Sequence, residues 1–575
     1  MKIINKFFAG EIKPDTVVMV ELFILLSIIL YWPITPFQYI YYDDPEWIFG
    51  NPIVLGGLSW KSLHWAIAGI VNYTWCPLTN FSFLLESVIF GAHAATSHLI
   101  NFLLHLANVL LLFRFVQMLI GQNWRAVLVA LLFAIHPMNV QTVAWVSERK
   151  GVLSTLFLLL MLIGYLKYVK APTLKGYCHV LIFYVLSLTS KPSVVTVPLV
   201  LLLLDVWPLA RIGLNRGNLM RVLLEKIPFL MLALGDAALE YRCQSTGGIA
   251  LYSFAVNVQT AIIGLARYVA NLICPIDLNV SYFHPANFSK IPWPESLVIM
   301  SACLLLVISL IACFLWRRDK GFAVCWIMFL VSIAPVIQLI PAGHIYMADR
   351  YAYVPYIWLF IMMANGLGLL IRGTASRVTV TAAAILAVVL LTCVSTRQVA
   401  TWENTVTVFS RALAIDPDNP VAHANVAVGY SLDKNHEQAI QHIEIALKLE
   451  PMSVVDHRIA AETYLRAGQP VRAAQYYQSA YDTCPSPDNM ASFAWLLATN
   501  PKVRNPEKAL GLARQTVAVN PSAANWDIFA AALAACGKFE EAAQIEGRTL
   551  SGRGSLPVYW QHLSLFQEHK MITVE

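Results

Sequence analysis

Two neighbouring aspartates, Asp43 and Asp44, sit in YYDDPEWIFGN at the start of a stretch, roughly residues 37–92, that follows an apolar run. Adjacent carboxylates raise each other's proton affinity, which suits a general base or a cation site; a solvated turn is the plainer alternative. Further on, HPMNVQTVAWVSERKG sets His136, Glu148, Arg149 and Lys150 between two more apolar runs. Lys191 in TSKPS, and Arg350 with Asp349 and Tyr351 in MADRYAYVP, stand at equivalent run ends. Cations so placed suit a lipid phosphate that is held while a bond to it breaks. Equally, long cationic side chains reach back to headgroups with no chemistry at all. One run carries His98, Asn101, His105 and Asn108 at steps of three, four and three, so all four share a helix face. Hydrogen bonding between helices accounts for the deeper His105 and Asn108. His98 is kept as a pocket candidate.

The patterns of other chemistries are missing: a phosphate-binding glycine loop, HExxH, CxxC and Gly-x-Ser-x-Gly are absent from the sequence. Cys484 and Cys536 can pair in an oxidising compartment or stay free. Asp205, in LLLLDVWPL, reads as structural.

What must position these residues is a membrane. Hydrophobic residues make up 58% of the 575 and charged residues 13%, which excludes disorder, a coiled coil and an ordinary soluble enzyme. Residues 1–400 carry 26 Lys+Arg against 16 Asp+Glu, whereas 401–575 carry 14 against 18. The basic character therefore reflects membrane orientation rather than nucleic acid. About eleven runs are long and apolar enough to cross a bilayer. The first follows Lys2, Lys6 and Lys13 without a small-residue cleavage site, as in an uncleaved anchor. With the N-terminus cytoplasmic, 17 of the 26 cations fall on the cytoplasmic side. That count needs 257–276 to be re-entrant or interfacial. Eleven crossings then put Asp43, and all that follows residue 397, outside the cytoplasm.

Past Arg397 a period replaces the apolar runs. Pro417, Pro451, Pro485 and Pro521 are spaced 34, 34 and 36 residues, and Ala439, Ala473, Ala509 and Ala542 recur in step. A closing proline at that interval predicts about four tetratricopeptide repeats, an α-solenoid with a concave surface for peptides or proteins. A stiffening scaffold is the alternative.

In order, YDDPEWIFGNPIV, WCPLTNFS, SHLINFLLHLANVLLLF, LFAIHPMNVQTVAWVSERKGVLS, SKPSVVTVPLVLLLLDVWPL, MADRYAYVP and the repeats resemble the bacterial relatives of the transmembrane-and-tetratricopeptide O-mannosyltransferases, over residues 15–550. The resemblance implies an all-α fold: a type C glycosyltransferase-like membrane bundle over 1–397 and a periplasmic repeat domain over 398–575. It implies a bacterial inner-membrane enzyme that inverts configuration as it moves a sugar from a polyprenyl phosphate to Ser or Thr of an exported protein bound by the repeats. Transfer to a glycan or lipid is a variant of this; a non-enzymatic envelope scaffold is its rival. Carried over, the acidic motif falls on Asp43 as base and Asp44 as its partner. Arg350, Lys191, Arg149 and Lys150 become phosphate ligands, and His98, His136, Glu148, Asp349 and Tyr351 line the donor and acceptor pocket. No metal is required, although the aspartates leave room for a divalent cation. The sequence departs from the pattern HPxHVESVAWVxERKDVL at Asn139, Gln141 and Gly151. On this scheme a cut after about residue 400 spares donor binding and weakens transfer to protein.

Overall fold

The computed structural model describes residues 14–212, 216–245, 253–280, 282–283, 293–339, 345–371, 373–552 and 557–574. Lys2, Lys6 and Lys13 lie outside them. The chain divides into two compact units, Met1–Val408 and Phe409–Glu575.

The first unit is a polytopic helical bundle. Its site-bearing helices are α1 (Pro14–Tyr31), α2 (Pro77–Phe90), α3 (Ala94–Ile120), α4 (Asn123–Ile135), α5 (Arg149–Lys170), α6 (Val197–Val206), α7 (Phe254–Ile273), α8 (Glu295–Leu315), α9 (Pro355–Leu370) and α10 (Thr374–Ala400). Among the described residues, six helices have the length and hydropathy to cross a membrane. A seventh span results if α4 and Pro137–Ala144, bent by 55° at His136, count as one. Several of the eleven expected runs instead form shorter apolar helices, among them Leu174–Leu188, Pro192–Val206 and Pro355–Leu370. Prolines at the first turns of the last two set where they begin, because the ring removes an N–H that a helix interior would need, while the Thr173 side chain caps the first.

The segment expected to be re-entrant, 257–276, is different. It forms α7, one continuous helix of 20 residues that passes the spanning criterion. Fourteen of those residues are apolar, interspersed with buried Asn257, Thr260 and Asn271, which is why the run reads as amphipathic and only partly membrane-like. The sharp break among the candidate spans falls at His136 instead.

The second unit is the expected solenoid. Helix pairs α11/α12 (Pro420–Leu432, His436–Leu449), α13/α14 (Val454–Arg466, Pro470–Thr483), α15/α16 (Pro487–Thr499, Pro506–Val519) and α17/α18 (Ala523–Ala535, Phe539–Gly552) follow one another. Ala439, Ala473, Ala509 and Ala542 are fully buried, since only a small side chain lets paired helices approach closely. The turns inside the first, second and fourth pairs need a left-handed residue, supplied by Lys434, Gly468 and Gly537. Cys484 and Cys536 are separate thiols.

The units meet eleven residues later than the composition change suggests. Trp402 is buried within the first unit, and Thr405 Oγ1 accepts a hydrogen bond from Tyr41 N–H at 2.9 Å. Polar residues with partners in the bundle thus belong to it, although they look like the start of the soluble part.

Candidate active site

Asp43 and Asp44 have opposite environments. Asp44 is fully buried, and donors fill its carboxylate: Ile40 N–H at 2.8 Å on Oδ2, Ser147 N–H at 2.9 Å and the Ser147 hydroxyl on Oδ1. It ties the loop before it to the start of α5, and three of its lone pairs are already taken by the protein. Asp44 is a positioning residue. Among the described residues, no hydrogen bond occupies the Asp43 carboxylate. Burial pushes its pKa above the usual carboxylate value, and the charges of Lys150 and Arg350 oppose that rise. A divalent cation here would therefore find Asp43 alone rather than a pair. Among the described residues, no group of three or more His, Cys, Asp or Glu side chains is arranged to hold a metal.

Glu148 is the pivot of the charges around Asp43. It is buried at the start of α5 and pairs with Lys191 at 2.8 Å, Arg350 at 3.3 Å and Lys150 at 3.6 Å. With Asp43 this makes three cations against two carboxylates, a surplus of one positive charge. Arg350 Nη1 is buried and has no hydrogen-bond partner among the described residues. The Arg350 guanidinium lies over the rings of Trp145 and Tyr351, at 5.3 and 5.0 Å.

A cleft opens beside this cluster. Lys191, Arg350, Tyr351, Ser154, Thr155 and Ser193 give it a polar part, while Leu158, Val197, Val200, Val336 and Trp358 make the rest apolar. Arg350, the residue with the unpartnered Nη1, belongs to the polar part. Such a division suits an amphiphile with an anionic head and a hydrocarbon chain. Asp43 and Lys150 are not among the lining residues; Arg350, which carries charge toward both, is their link to the cleft.

Four expected site residues take structural roles. Arg149, 1% exposed, pairs with Glu86 at 2.8 Å, donates to Asn101 Oδ1 and to Ser97 O at 3.0 Å, and lies over Phe83. A guanidinium so fully partnered cannot grip a phosphate. His98 is buried against Gln38 O at 3.4 Å. His136 is buried at the bend, where Nδ1 accepts Met138 N–H and Nε2 reaches Leu272 O at 3.2 Å. Asp349 is buried and accepts the Tyr282 hydroxyl at 2.7 Å, which fixes the turn before Arg350. The stripe on α3 hydrogen-bonds across helices: Asn101 to Trp145 O, His105 to Tyr353, Asn108 to Val152 O. Asp205 is structural as read, held by Tyr165, Arg211 and Lys226.

The departures from the family pattern have local explanations. Gln141 accepts Arg350 N–H at 2.8 Å and donates to Val280 O, two jobs of which a carboxylate can do only the first. Asn139 donates to Phe133 O at 2.7 Å. Gly151 lines the cleft, and a Cβ there would come within 2.9 Å of Thr142 Cγ2 and 3.0 Å of Glu148 Oε2. Sequence reasoning missed Glu86, the one acidic residue between Glu46 and Glu148; that isolation in an apolar stretch was the available signal. It also missed Ser147 and Trp145, whose roles depend on what they face.

No family profile matches the chain. Protein O-mannosyl-transferase TMTC2 of Mus musculus is 33% identical over 136 residues, which is 24% of this chain and 14% of that protein. Protein O-mannosyl-transferase TMTC4 of Homo sapiens is 24% identical over 472 residues, 70% of this chain and 62% of that one. The solved structure of the Archaeoglobus fulgidus oligosaccharyltransferase in the apo form aligns over 67% of this chain and 56% of its own, at 13% identity and a TM-score of 0.41. The chain thus spans less than two thirds of the curated relatives it matches. In sequence it is similar to proteins named O-mannosyl-transferases, over a short stretch at 33% identity and over most of its length at 24%.

Proposed function

We propose that this chain is a membrane-embedded inverting glycosyltransferase that moves a sugar from a polyprenyl phosphate to a Ser or Thr hydroxyl of an exported protein. The observation that carries this is the unfilled Arg350 N–H beside Lys191 at the polar part of a cleft whose remaining wall is apolar. A prenyl chain would lie along Val197, Val200 and Trp358, with its phosphate at Arg350 and Lys191. Asp43 would take the acceptor proton as the hydroxyl oxygen bonds to the anomeric carbon. The sugar–phosphate bond would break, its electron pair leaving with the lipid phosphate, which the surplus positive charge stabilises. The relatives' names support a glycosyl transfer; a scaffold would have no use for an open, positively charged cleft. The hydrogen bonds from Gln38 and Tyr41 to residues 403 and 405 support the reading that the chain leaves the bundle on Asp43's side, which the orientation makes the side away from the cytoplasm. There the repeats would hold the acceptor, and in a bacterium that side is the periplasm.

Replacing Asp43 by Asn keeps the shape and removes the base. Transfer from a polyprenyl-phosphate sugar to an acceptor peptide by the reconstituted full chain should fall about 10²–10⁴-fold. Unchanged turnover in a stably folded Asp43→Asn protein would rule the mechanism out.

A further inference from the structure

Among the described residues, no hydrogen bond holds the Asp43 carboxylate, so its position depends on the backbone around it. Four amides of that loop are anchored, one of them, Tyr42 N–H, to Ile40 O at 2.7 Å. Ile40 N–H is held by Asp44 at 2.8 Å, within the loop itself. Gln38 N–H donates to Glu403 O at 3.0 Å and Tyr41 N–H to Thr405 Oγ1 at 2.9 Å. Two of the four anchors thus come from one short segment more than 360 residues away in sequence.

The same segment reaches Arg350. Trp402, 2% exposed, stacks on Trp145 with ring centroids 5.9 Å apart and planes 29° apart. Trp145 in turn carries the Arg350 guanidinium over its ring, and Tyr42 packs against it at 5.9 Å. An indole sandwiched by a second indole has little freedom to tilt, so Trp402 limits where Arg350 can rest. The segment is itself braced: Asn404 Oδ1 accepts Thr407 N–H, and Thr407 Oγ1 accepts Asn404 N–H, a reciprocal cap that sets the start of the helix Thr405–Ile415.

We propose that residues 402–405 form a strap that places both reacting groups, with Thr405 positioning Asp43 and Trp402 positioning Arg350. This rests on the glycosyl-transfer reading above. It also corrects the expectation that a cut after about residue 400 spares the donor site, since such a cut removes the strap. A displacement of about 1 Å at a reacting group can cost about a hundredfold in rate.

The test uses the full chain in lipid nanodiscs and two readouts. Hydrogen exchange follows the amides of residues 38–44; transfer kinetics follow kcat and the donor KM. Thr405→Val removes the acceptor and should speed exchange at Tyr41 and lower kcat about tenfold or more with the donor KM little changed. Thr405→Ser keeps the hydroxyl and should restore both. Trp402→Leu should raise the donor KM, and Trp402→Phe should recover part of it. If Trp402→Leu does not fold, the Thr405 pair decides alone. Exchange and kinetics identical to wild type in Thr405→Val would overturn the strap. A wild-type protein that transfers no sugar would instead overturn the glycosyl-transfer reading, while the exchange experiment still judged the strap.

Discussion

At the C-terminal end of α5, Asp205 accepts the Tyr165 hydroxyl, Arg211 at 3.1 Å and Lys226 at 2.8 Å, and Arg211 also pairs with Glu225 at 2.7 Å. With the largely exposed Arg221 at 3.6 Å from Glu225, three cations meet two carboxylates, and the Asp205 carboxylate is held by Tyr165, Arg211 and Lys226. At the N-terminal end of the same helix, one carboxylate serves three cations, a second carboxylate has no hydrogen bond among the described residues, and Arg350, whose Nη1 has no partner among them, lines a cleft. The sites lie about 24 Å apart along the helix, taking 1.5 Å per residue from Arg149 to Tyr165. The residue types and the charge count are alike, so neither separates structure from chemistry; a carboxylate left without a hydrogen bond and cations that line a cleft do. A buried cluster whose carboxylates are held by their own partners has little to offer a ligand, whereas one with an open carboxylate and cleft-lining cations does.

Three substitutions break or sharpen that contrast. The largest effect belongs to the cluster around Asp205. Asp205→Ala takes the 2.8 Å partner from Lys226 and leaves Arg211 with Glu225 alone, and should lower stability by about 3–5 kcal/mol. The fall should appear as a lower midpoint of thermal unfolding in detergent and a poor folded yield, and Asp43→Asn should show neither. Equal loss of stability in both would erase the distinction. Next comes Arg350→Lys, which keeps the charge but loses the planar fork and its place over Trp145. Transfer should drop about a hundredfold with the unfolding midpoint unchanged. If lysine serves as well, Lys191 is the better phosphate ligand.

The smallest effect is a shift in pH dependence. Burial raises the Asp43 pKa, and Lys150 holds it down. The base works only when ionised, so activity is lost as pH falls through that pKa. Lys150→Met removes an opposing charge, which should raise the pKa further and move the acid limb of the kcat profile to higher pH by about one unit. An unmoved limb would mean that Asp43 is not the titrating base.

How far the sequence foretold this varies with what each inference rests on. The repeats were legible because the 34-residue period and the buried alanines are local and recur. The bundle was legible from hydropathy, but not the number of long helices. Prolines at run ends cut several helices short, and nothing in composition separates a 15-residue apolar helix from a longer one. Arg350, Lys191 and Glu148 were found because ionisable residues in apolar surroundings are rare and costly. The same rule brought in Arg149, His98 and His136, and it could not tell a cation facing a cleft from one facing Glu86. That difference lies in the partner across the bundle, and Glu86 is 63 residues from Arg149 in sequence. The two aspartates are adjacent, yet one is held twice by Ser147, a residue with no distinguishing mark of its own.

Gly151 has a consequence for timing. With no side chain there, Glu148 and Lys191 stay together, and no third carboxylate cancels the cluster's surplus charge. On the proposed reaction the donor arrives as a phosphodiester with one negative charge, and the lipid leaves as a monoester able to carry more. The site would hold what it makes more firmly than what it takes in. Departure of the spent lipid, not the bond change, would then set the pace of each cycle, and the first turnover after mixing would run as a burst ahead of the steady rate. An acidic residue at this place would balance the charge and abolish the burst.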